Sequence, residues 1–290
     1  DGAEIEVRQD DRTLVVLEGR IYGSATVTPI DDLLALAGML GREGNDDPAA
    51  IRSCIRDWDG EFVAVVYTKA NHRLWVFSDP LGRLPLYVAR GDRGLSVSRD
   101  QRFLLAHEGI AAVDRVGIAQ LLLFGFPLGR HTLIQGVEHV PAGQGFRADP
   151  DGIRTLEGLG EPLDFGRKER AGISAERNAA DLAELFTHAC RVRADAGDPA
   201  LLALSGGLDS RAVGAGLARA GRPFDSFTLV DDAGVYAHEV PIARALAETF
   251  GSPWRLFQAP PSRAATLLRM LEMKSGLNSL AMAFSLPIFE

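Results

Sequence analysis

The sequence predicts two successive domains, an α+β domain built mostly of antiparallel strands and an α/β domain with a doubly wound parallel sheet. In the first half, runs of β-branched and aromatic residues are separated by short turns, which is the pattern of hairpins. In the second half, helical segments alternate with short apolar strands, and this order implies parallel pairing. The stretch Glu157–Ser174 between them has little apolar periodicity. We therefore expect a first domain over residues 1–160, a linker over 161–174 and a second domain over 175–290.

Hairpins dominate the predicted first domain. The run Glu61–Asp79 contains two β-rich segments around Lys-Ala-Asn-His-Arg, and Pro85–Ser98 contains a second pair of strands. Thr13–Gly23 predicts a further strand, and the Gly- and Pro-rich stretch Val140–Ile153 predicts a turn-rich hairpin. The predicted helices of this half are Ile30–Leu40, Asp47–Trp58, with Asp47 as its N-cap, and Val116–Gly125.

The second half reads as helix, strand, helix, strand. An amphipathic helix over Ala175–Ala194 leads into the short apolar strand Ala200–Leu204. Two further helices and two further strands follow, and two helical stretches continue to the C-terminus. They are the helices Ser210–Ala220 and His238–Gly251 and the strands Phe224–Val230 and Pro253–Gln258.

Composition narrows the classes of function. The chain has 290 residues, 46% of them hydrophobic and 24% charged, which is typical of globular domains. Its net charge of −8 argues against a broad nucleic-acid surface. No apolar run reaches the roughly 18 residues of a membrane span. The two cysteines, Cys54 and Cys190, are far apart, so we expect neither a disulfide framework nor a zinc site, and a cytoplasmic location.

The segment Ser205–Ser210, with the sequence SGGLDS, joins the apolar strand to the next helix. In a parallel sheet such a loop lies at the carboxyl edge, where ligands bind. Two glycines can adopt backbone angles closed to other residues, and their N–H groups, two serine hydroxyls and a helix N-terminus can receive phosphate oxygens. Asp209 would repel a bare phosphate, which suggests a bridging Mg²⁺. The alternative is a glycine-rich turn without a ligand; no Lys follows as in a Walker loop.

Several segments resemble the asparagine synthetase family, in the order found in that family. SGGLDS resembles the pyrophosphate-binding loop of the ATP-pyrophosphatase superfamily, and Asp59–Val88 resembles the family's glutaminase-type domain. His131–Phe146 is similar to the segment before the interdomain linker, and Tyr236–Gly251 to an acidic-start helix one strand after the loop. The resemblance implies a glutaminase-like Ntn-hydrolase sandwich, then an ATP-pyrophosphatase domain that uses ATP and Mg²⁺ to adenylate a carboxylate.

The resemblance also implies a set of site residues. ATP would be held by Leu204, Ser205, Gly206, Gly207, Asp209, Ser210, Thr228 and Val230. Within that set, Leu204 and the stretch Thr228–Asp232 would hold adenine through backbone groups, and Asp209 would hold Mg²⁺. The alternatives are a plain strand with its exit turn and, for Asp209, a helix N-cap. Glu239 either positions substrate or phosphate, or favours its helix through the dipole. Asp79 is expected to be a buried carboxylate that stabilises the fold.

The chain departs from the family pattern at the positions that would use glutamine. It begins with Asp1 instead of the nucleophilic cysteine, and the family's Arg-His-Arg-Gly-Pro-Asp motif has no counterpart. The Asn-Gly-Glu-Ile-Tyr motif is replaced by Glu-Gly-Arg-Ile-Tyr, so Glu18 stands for the Asn and Arg20 for the Glu. A positive charge at Arg20 would repel the amino group of glutamine. We therefore expect an inactive glutaminase fold. The chain also stops before the family's Gly-Asp-Glu-Leu-Phe-Gly-Gly loop, which predicts an incomplete second domain.

If glutamine is not the nitrogen source, the resemblance narrows to lasso-peptide cyclases and β-lactam synthetases. Their reaction is lactam or macrolactam formation within a peptide or small carboxylate substrate, and a precursor or leader-peptide-handling protein is a candidate partner; no nucleic acid and no membrane are expected. The alternatives are a glutamine-dependent amidotransferase and a non-catalytic module that binds ATP or a leader peptide. A tRNA-modifying member of the superfamily is disfavoured by the acidic balance.

Overall fold

The computed structural model describes residues 4–22, 28–42, 47–91, 94–109, 112–160, 172–194, 200–231, 234, 236–259, 263–274 and 286. These residues form two compact units. One contains those up to 160 together with 271–274, and the other contains 172–270 and Leu286. The second domain predicted from the sequence included 271–274, which group here with the first unit. The predicted linker boundaries stay a prediction, because 161–171 lie outside the described residues.

Two antiparallel sheets form the first unit, one of six strands in the order β1-β2-β3-β4-β8-β9 and one of three in the order β6-β5-β7. The strands are β1 Ile5–Gln9, β2 Thr13–Tyr22, β3 Asp59–Thr68, β4 Arg73–Ser78, β5 Tyr87–Gly91, β6 Gly94–Ser98, β7 Val137–His139, β8 Gly145–Asp149 and β9 Gly152–Leu156. The helices are α1 Pro29–Leu40, α2 Asp47–Ile55, α3 Gln101–Glu108 and α4 Arg115–Phe124.

Successive side chains of each strand point to opposite faces of its sheet, and in this unit both faces of the larger sheet are covered. Phe62 and Ala64 of β3 face the helices α1 and α2, whereas Val63 between them faces the three-stranded sheet. On that second sheet Tyr87 packs against Leu104 of α3. The layers therefore run helix, sheet, sheet, helix, and the predicted Ntn-like α+β sandwich is confirmed.

The second unit is built on a parallel sheet of three strands in the order β10-β11-β12. The strands are β10 Ala200–Ala203, β11 Phe224–Asp231 and β12 Trp254–Ala259. The helices are α5 Ala175–Ala194, α6 Leu208–Arg219 and α7 Val240–Phe250, with a 3-10 turn at Ala237–Glu239. Helix α8 Ala264–Lys274 belongs to this unit up to Met270. Leu202 packs with Cys190 and Leu217, and Leu204 with Ala243 and Ala247. The predicted strand–helix alternation with parallel pairing is confirmed.

Two local predictions in the first half differ from the structure. Asp47 is not an N-cap but the first residue of α2, and its carboxylate accepts a hydrogen bond from Arg147 Nη1 at 2.8 Å. Helix α3 was not predicted, although Asp100 caps it by accepting from the N–H of Arg102. The contact of Asp47 is tertiary and spans 100 residues, whereas the cap of α3 is a local contact over two residues.

Asp79 is fully buried, as the sequence predicted. Its carboxylate accepts hydrogen bonds at 3.0 Å from the backbone N–H groups of Leu81 and Arg83. The Arg83 side chain contacts it as well, with Nε 3.5 Å from Oδ1. Asp79 thus fixes the turn after β4, and a structural role is confirmed. Within the part of the chain that the structure describes, no helix is long and apolar enough to cross a bilayer.

Candidate nucleotide-binding site

The SGGLDS loop leaves the carboxyl end of β10 and enters α6. Leu204, next to the strand, is buried, and its N–H donates to the Phe227 carbonyl at 2.7 Å. Gly207 is the N-cap of α6, with φ −74° and ψ 170°, and no side chain caps the helix. The N–H groups of the first turn therefore point from the sheet edge without intrahelical partners, and they carry the partial positive charge of the helix.

Two serine hydroxyls fix the shape of the loop. Ser205 Oγ and Ser210 Oγ lie 3.0 Å apart. The Ser205 N–H donates to Ser210 Oγ at 3.0 Å, and the Gly207 N–H donates to Ser205 Oγ at 3.1 Å. The two hydroxyls thus hold the backbone on both sides of Gly206, and both remain half-buried beside the helix terminus.

Gly206 is held from both directions. Its N–H donates to Glu239 Oε2 at 3.0 Å, and its carbonyl accepts from Arg211 Nη2 at 3.1 Å. A Cβ at this position would lie only 3.3 Å from Cβ and Cγ of Glu239. Neither Gly206 nor Gly207 has a positive φ, so the expectation that they use backbone angles closed to other residues is wrong. The close approach of Glu239 is what favours glycine at Gly206.

Asp209 presents a carboxylate on the first turn of α6. The side chain is exposed and has no hydrogen bond or ion pair to another described residue. Because Gly207 is the N-cap, the alternative in which Asp209 caps the helix is wrong. A free carboxylate beside open amide donors suits Mg²⁺ shared with phosphate oxygens. Among the described residues, no group of three or more metal-ligating side chains occurs.

Thr228 of β11 links the end of β10 to the first residue of β12. Its buried hydroxyl donates to the Leu204 carbonyl at 2.7 Å and accepts from Trp254 Nε1 at 2.9 Å. Both backbone polar groups of Leu204 thus already have a partner. Val230 lies two residues further along β11 and is half-buried, whereas Asp232 lies outside the described residues. The adenine-binding role of these residues stays a prediction.

Glu239 acts on the loop and not on its own helix. It is the N-cap of α7 by position, but its side chain caps no N–H of that helix. The carboxylate extends to Gly206 instead. The contact of Glu239 with the loop was not predicted from the sequence, and its role toward substrate or phosphate stays a prediction.

In the first unit, Glu18 forms an ion pair with Arg99, and both side chains are about one-quarter exposed. The neighbouring Gly19 has φ +126°, and a Cβ there would lie 2.1 Å from the Glu61 carbonyl oxygen. Arg20 is paired in register with Glu61. The segment that resembles a glutamine-binding motif thus carries a charged pair within this unit. Sequence reasoning identified Glu18 and missed Arg99, which nothing in the sequence marks as its partner.

The two thiols do not have the properties of nucleophiles. Both are free, and burial raises the pKa of Cys54 to about 12, with a further contribution from the Asp32 carboxylate. Burial also raises the pKa of Cys190 above its ordinary value. A thiolate is the nucleophilic form, so at neutral pH both groups are unreactive thiols.

Family models match both halves of the chain. Residues 50–157 match a glutamine amidotransferase domain, and residues 181–280 match asparagine synthase. In both halves the chain is thus similar to the asparagine synthetase family. Its second unit is a partial asparagine synthase domain, and this domain implies the use of ATP.

Comparisons with curated proteins and with solved structures add no argument about the function of this asparagine synthetase-like chain. A search of curated proteins gives no match. Solved structures similar to it include glutamine phosphoribosylpyrophosphate amidotransferase from B. subtilis complexed with ADP and GMP, and the allosteric regulatory enzyme of purine biosynthesis. Both are 13% identical, with TM-scores of 0.31 and 0.32, over 87% and 88% of this chain. The chain spans only 47% and 62% of those two structures.

Proposed function

We propose that this protein forms amide bonds with ATP through an acyl-adenylate. In the first step a substrate carboxylate displaces pyrophosphate from the α-phosphorus of ATP. In the second step an amine attacks the acyl carbon, and AMP and a proton leave. The observation that supports this most directly is the SGGLDS loop, which places two hydroxyls, open amide donors and the Asp209 carboxylate at the carboxyl end of β10.

Each part of the loop has a task in that reaction. Ser205, Ser210 and the first N–H groups of α6 donate to phosphate oxygens, and the donors are already fixed before charge develops on the departing pyrophosphate. Asp209 would hold Mg²⁺, which when bound neutralises phosphate charge. Thr228 keeps the end of β10 in place, so the loop starts from a rigid support.

The amine comes from the substrate itself in this proposal. Glu18 is engaged by Arg99 in the segment where relatives would bind glutamine. An amine and a carboxylate of one molecule would then be joined, giving a lactam or macrolactam. This is the reaction of lasso-peptide cyclases and β-lactam synthetases, on a peptide or small carboxylate substrate.

A second candidate is a glutamine-dependent amidotransferase of the asparagine synthetase type. The match of residues 50–157 to a glutamine amidotransferase domain favours it. The ion pair of Glu18 with Arg99 argues against it, because a carboxylate engaged by a guanidinium has no N–H to donate to the glutamine side chain, as the amide of the family's Asn has.

The products of ATP cleavage test the proposal. The complete protein is incubated with ATP, Mg²⁺ and a panel of linear peptides that carry both a free amine and a free carboxylate. We expect AMP and pyrophosphate, together with a peptide that has lost the mass of one water. Formation of ADP and phosphate would contradict the acyl-adenylate route. ATP binding without cleavage for any peptide would support a non-catalytic module instead.

A further inference from the structure

The Gly206 N–H is bound by a negatively charged group of the protein itself. Glu239 Oε2 lies 3.0 Å from this nitrogen, which is the geometry of a charge-assisted hydrogen bond. The contact joins residues 33 positions apart, and the Cβ and Cγ atoms of Glu239 pack closely against Gly206. A carboxylate oxygen thus occupies the kind of position that a phosphate oxygen would take at this loop.

The remaining donors of the loop are used differently. The N–H groups of Ser205 and Gly207 donate to serine hydroxyls, which are neutral and can rotate. Among the described loop amides with a hydrogen bond to a side chain, only that of Gly206 is held by an anion. Two anions cannot share one amide donor, since repulsion between unit charges a few ångströms apart is worth kilocalories even near a protein surface.

We propose that Glu239 is an internal gate of the phosphate site. In the nucleotide-free protein its carboxylate holds the Gly206 N–H, and it leaves this donor when a phosphate group of ATP binds. When the carboxylate returns, it competes with pyrophosphate and so promotes release of that product. This inference rests on the proposed function, because it assumes that the loop binds phosphate.

The structure provides for such a movement. The Glu239 side chain caps no helix, so its departure from Gly206 leaves α7 intact. Arg211 holds the next peptide group through the Gly206 carbonyl, so the loop keeps its course when the carboxylate leaves. The gate competes with phosphate groups and not with the nucleoside. Substitutions at Glu239 should therefore change the affinity for ATP and pyrophosphate and leave the affinity for adenosine unchanged.

Calorimetric titration of the full chain with Mg²⁺-pyrophosphate, ATP and adenosine tests the gate. Glu239→Gln keeps the size of the side chain and removes its charge, and Glu239→Asp keeps the charge but is too short for the contact. We expect Glu239→Gln to bind pyrophosphate and ATP about tenfold more tightly than the unmodified protein, because a charged hydrogen bond is lost. Glu239→Asp should show a smaller gain, because it loses the contact but its charge still repels phosphate. Glu248→Gln is the matched control, since Glu248 lies on α7 and pairs with Arg244 at 3.4 Å.

The outcomes separate the gate from general charge effects. Tighter binding by both Glu239 variants, with adenosine and the Glu248→Gln control unchanged, supports the gate. Unchanged or weaker binding by Glu239→Asp would overturn it, since repulsion without the contact would survive in that variant. An equal gain in Glu248→Gln would also overturn it. If the unmodified protein and all variants bind neither ATP nor pyrophosphate, both the gate and the proposed function are wrong.

Discussion

Asp209 is the one residue of the loop whose role depends on a metal ion. Its carboxylate is exposed and has no partner among the described residues. We predict that Asp209→Asn weakens binding of Mg²⁺-ATP by about tenfold or more, because a neutral amide is a poor Mg²⁺ ligand. Binding of ATP without Mg²⁺ should not weaken, since a repulsive charge is removed. Calorimetry with and without the metal measures both.

Asp225→Asn is the control for that prediction. Asp225 is also exposed, but it is the second residue of β11. It precedes Phe227, whose carbonyl accepts the Leu204 N–H, by two residues. This substitution makes the same change in net charge and should leave Mg²⁺-ATP binding as it is. Equal weakening in both variants would contradict the metal role of Asp209.

Thr228 is a residue whose loss should lower stability. In Thr228→Val the shape is kept, but the Leu204 carbonyl loses its hydroxyl donor and Trp254 Nε1 loses its acceptor. We expect the free energy of unfolding to fall by about 1–3 kcal/mol, the usual cost of unsatisfied buried polar groups. Chemical denaturation measures it.

Thr249→Val provides the comparison. The Thr249 hydroxyl bonds the Ala245 carbonyl within the exposed face of α7, and its loss should change stability by about 0.5 kcal/mol or less. A similar fall in the free energy of unfolding of the two variants would contradict the stabilising role of the Thr228 hydrogen bonds.

At this scale, the sequence predicted the residues of the loop but not their partners. Ser205, Gly206, Asp209 and Ser210 are adjacent in the chain, so a motif identifies them together. The bond from Gly206 to Glu239 spans 33 positions, and that from Glu18 to Arg99 spans 81. Such contacts arise from tertiary packing, and no local pattern indicates them.

Helix α4 illustrates how a single cap stabilises an element. Asp114 accepts hydrogen bonds from the N–H groups of Val116 and Gly117 at 2.8 and 3.1 Å, and His131 Nδ1 lies 2.8 Å from its second oxygen. We predict that Asp114→Ala lowers the free energy of unfolding by about 1 kcal/mol, as is usual for the loss of an N-cap.

Thr28→Ala is the matched substitution at the N-cap of α1. The Thr28 side chain makes no capping hydrogen bond there, so this change should cost less than Asp114→Ala. Denaturant titration of the two variants compares them. If the Thr28 variant lost as much stability, the loss at Asp114 could not be assigned to its cap.

Among the elements, length decided what could be predicted. The 20-residue α5 has the limits that its amphipathic pattern predicts, Ala175–Ala194. The eight-residue α3 was missed, because so short a segment contains few periods of a helical pattern. Helix α2 ends at Ile55, three residues before its predicted end at Trp58.

For the first unit as a whole, we predict a loss of stability at alkaline pH. Burial raises the pKa of Cys54 from 9.0 to about 12 and that of Tyr87 from 10.0 to about 12. Because the folded-state pKa values are raised, the neutral forms stabilise the fold fully below pH 9, and this contribution is lost as the pH rises toward 12. Thermal unfolding followed across this range should show a falling midpoint.

Cys54→Ala separates the contribution of the Cys54 thiol to this alkaline loss of stability from the contribution of Tyr87. The variant starts from a lower stability at pH 8, but its midpoint should fall less steeply between pH 9 and 12. An identical slope in the two proteins would mean that the Cys54 thiol is not shielded as its burial implies.

On the scale of the molecule, the order of the two folds could be predicted from the change in hydrophobic periodicity along the chain. β-rich runs separated by short turns implied hairpins in the first half, and strands alternating with helices implied a parallel sheet in the second half. What could not be predicted was the ion pair of Glu18 with Arg99, which depends on how the end of β6 approaches β2.

Release of glutamate from glutamine by the complete protein, with ATP and Mg²⁺ present, tests the central claim most directly. The account predicts no glutamate above a protein-free control while the same preparation binds ATP, because Glu18 is engaged by Arg99 and the amine belongs to the substrate. Steady glutamate release that matches AMP formation one for one would contradict it. The protein would then be a glutamine-dependent amidotransferase.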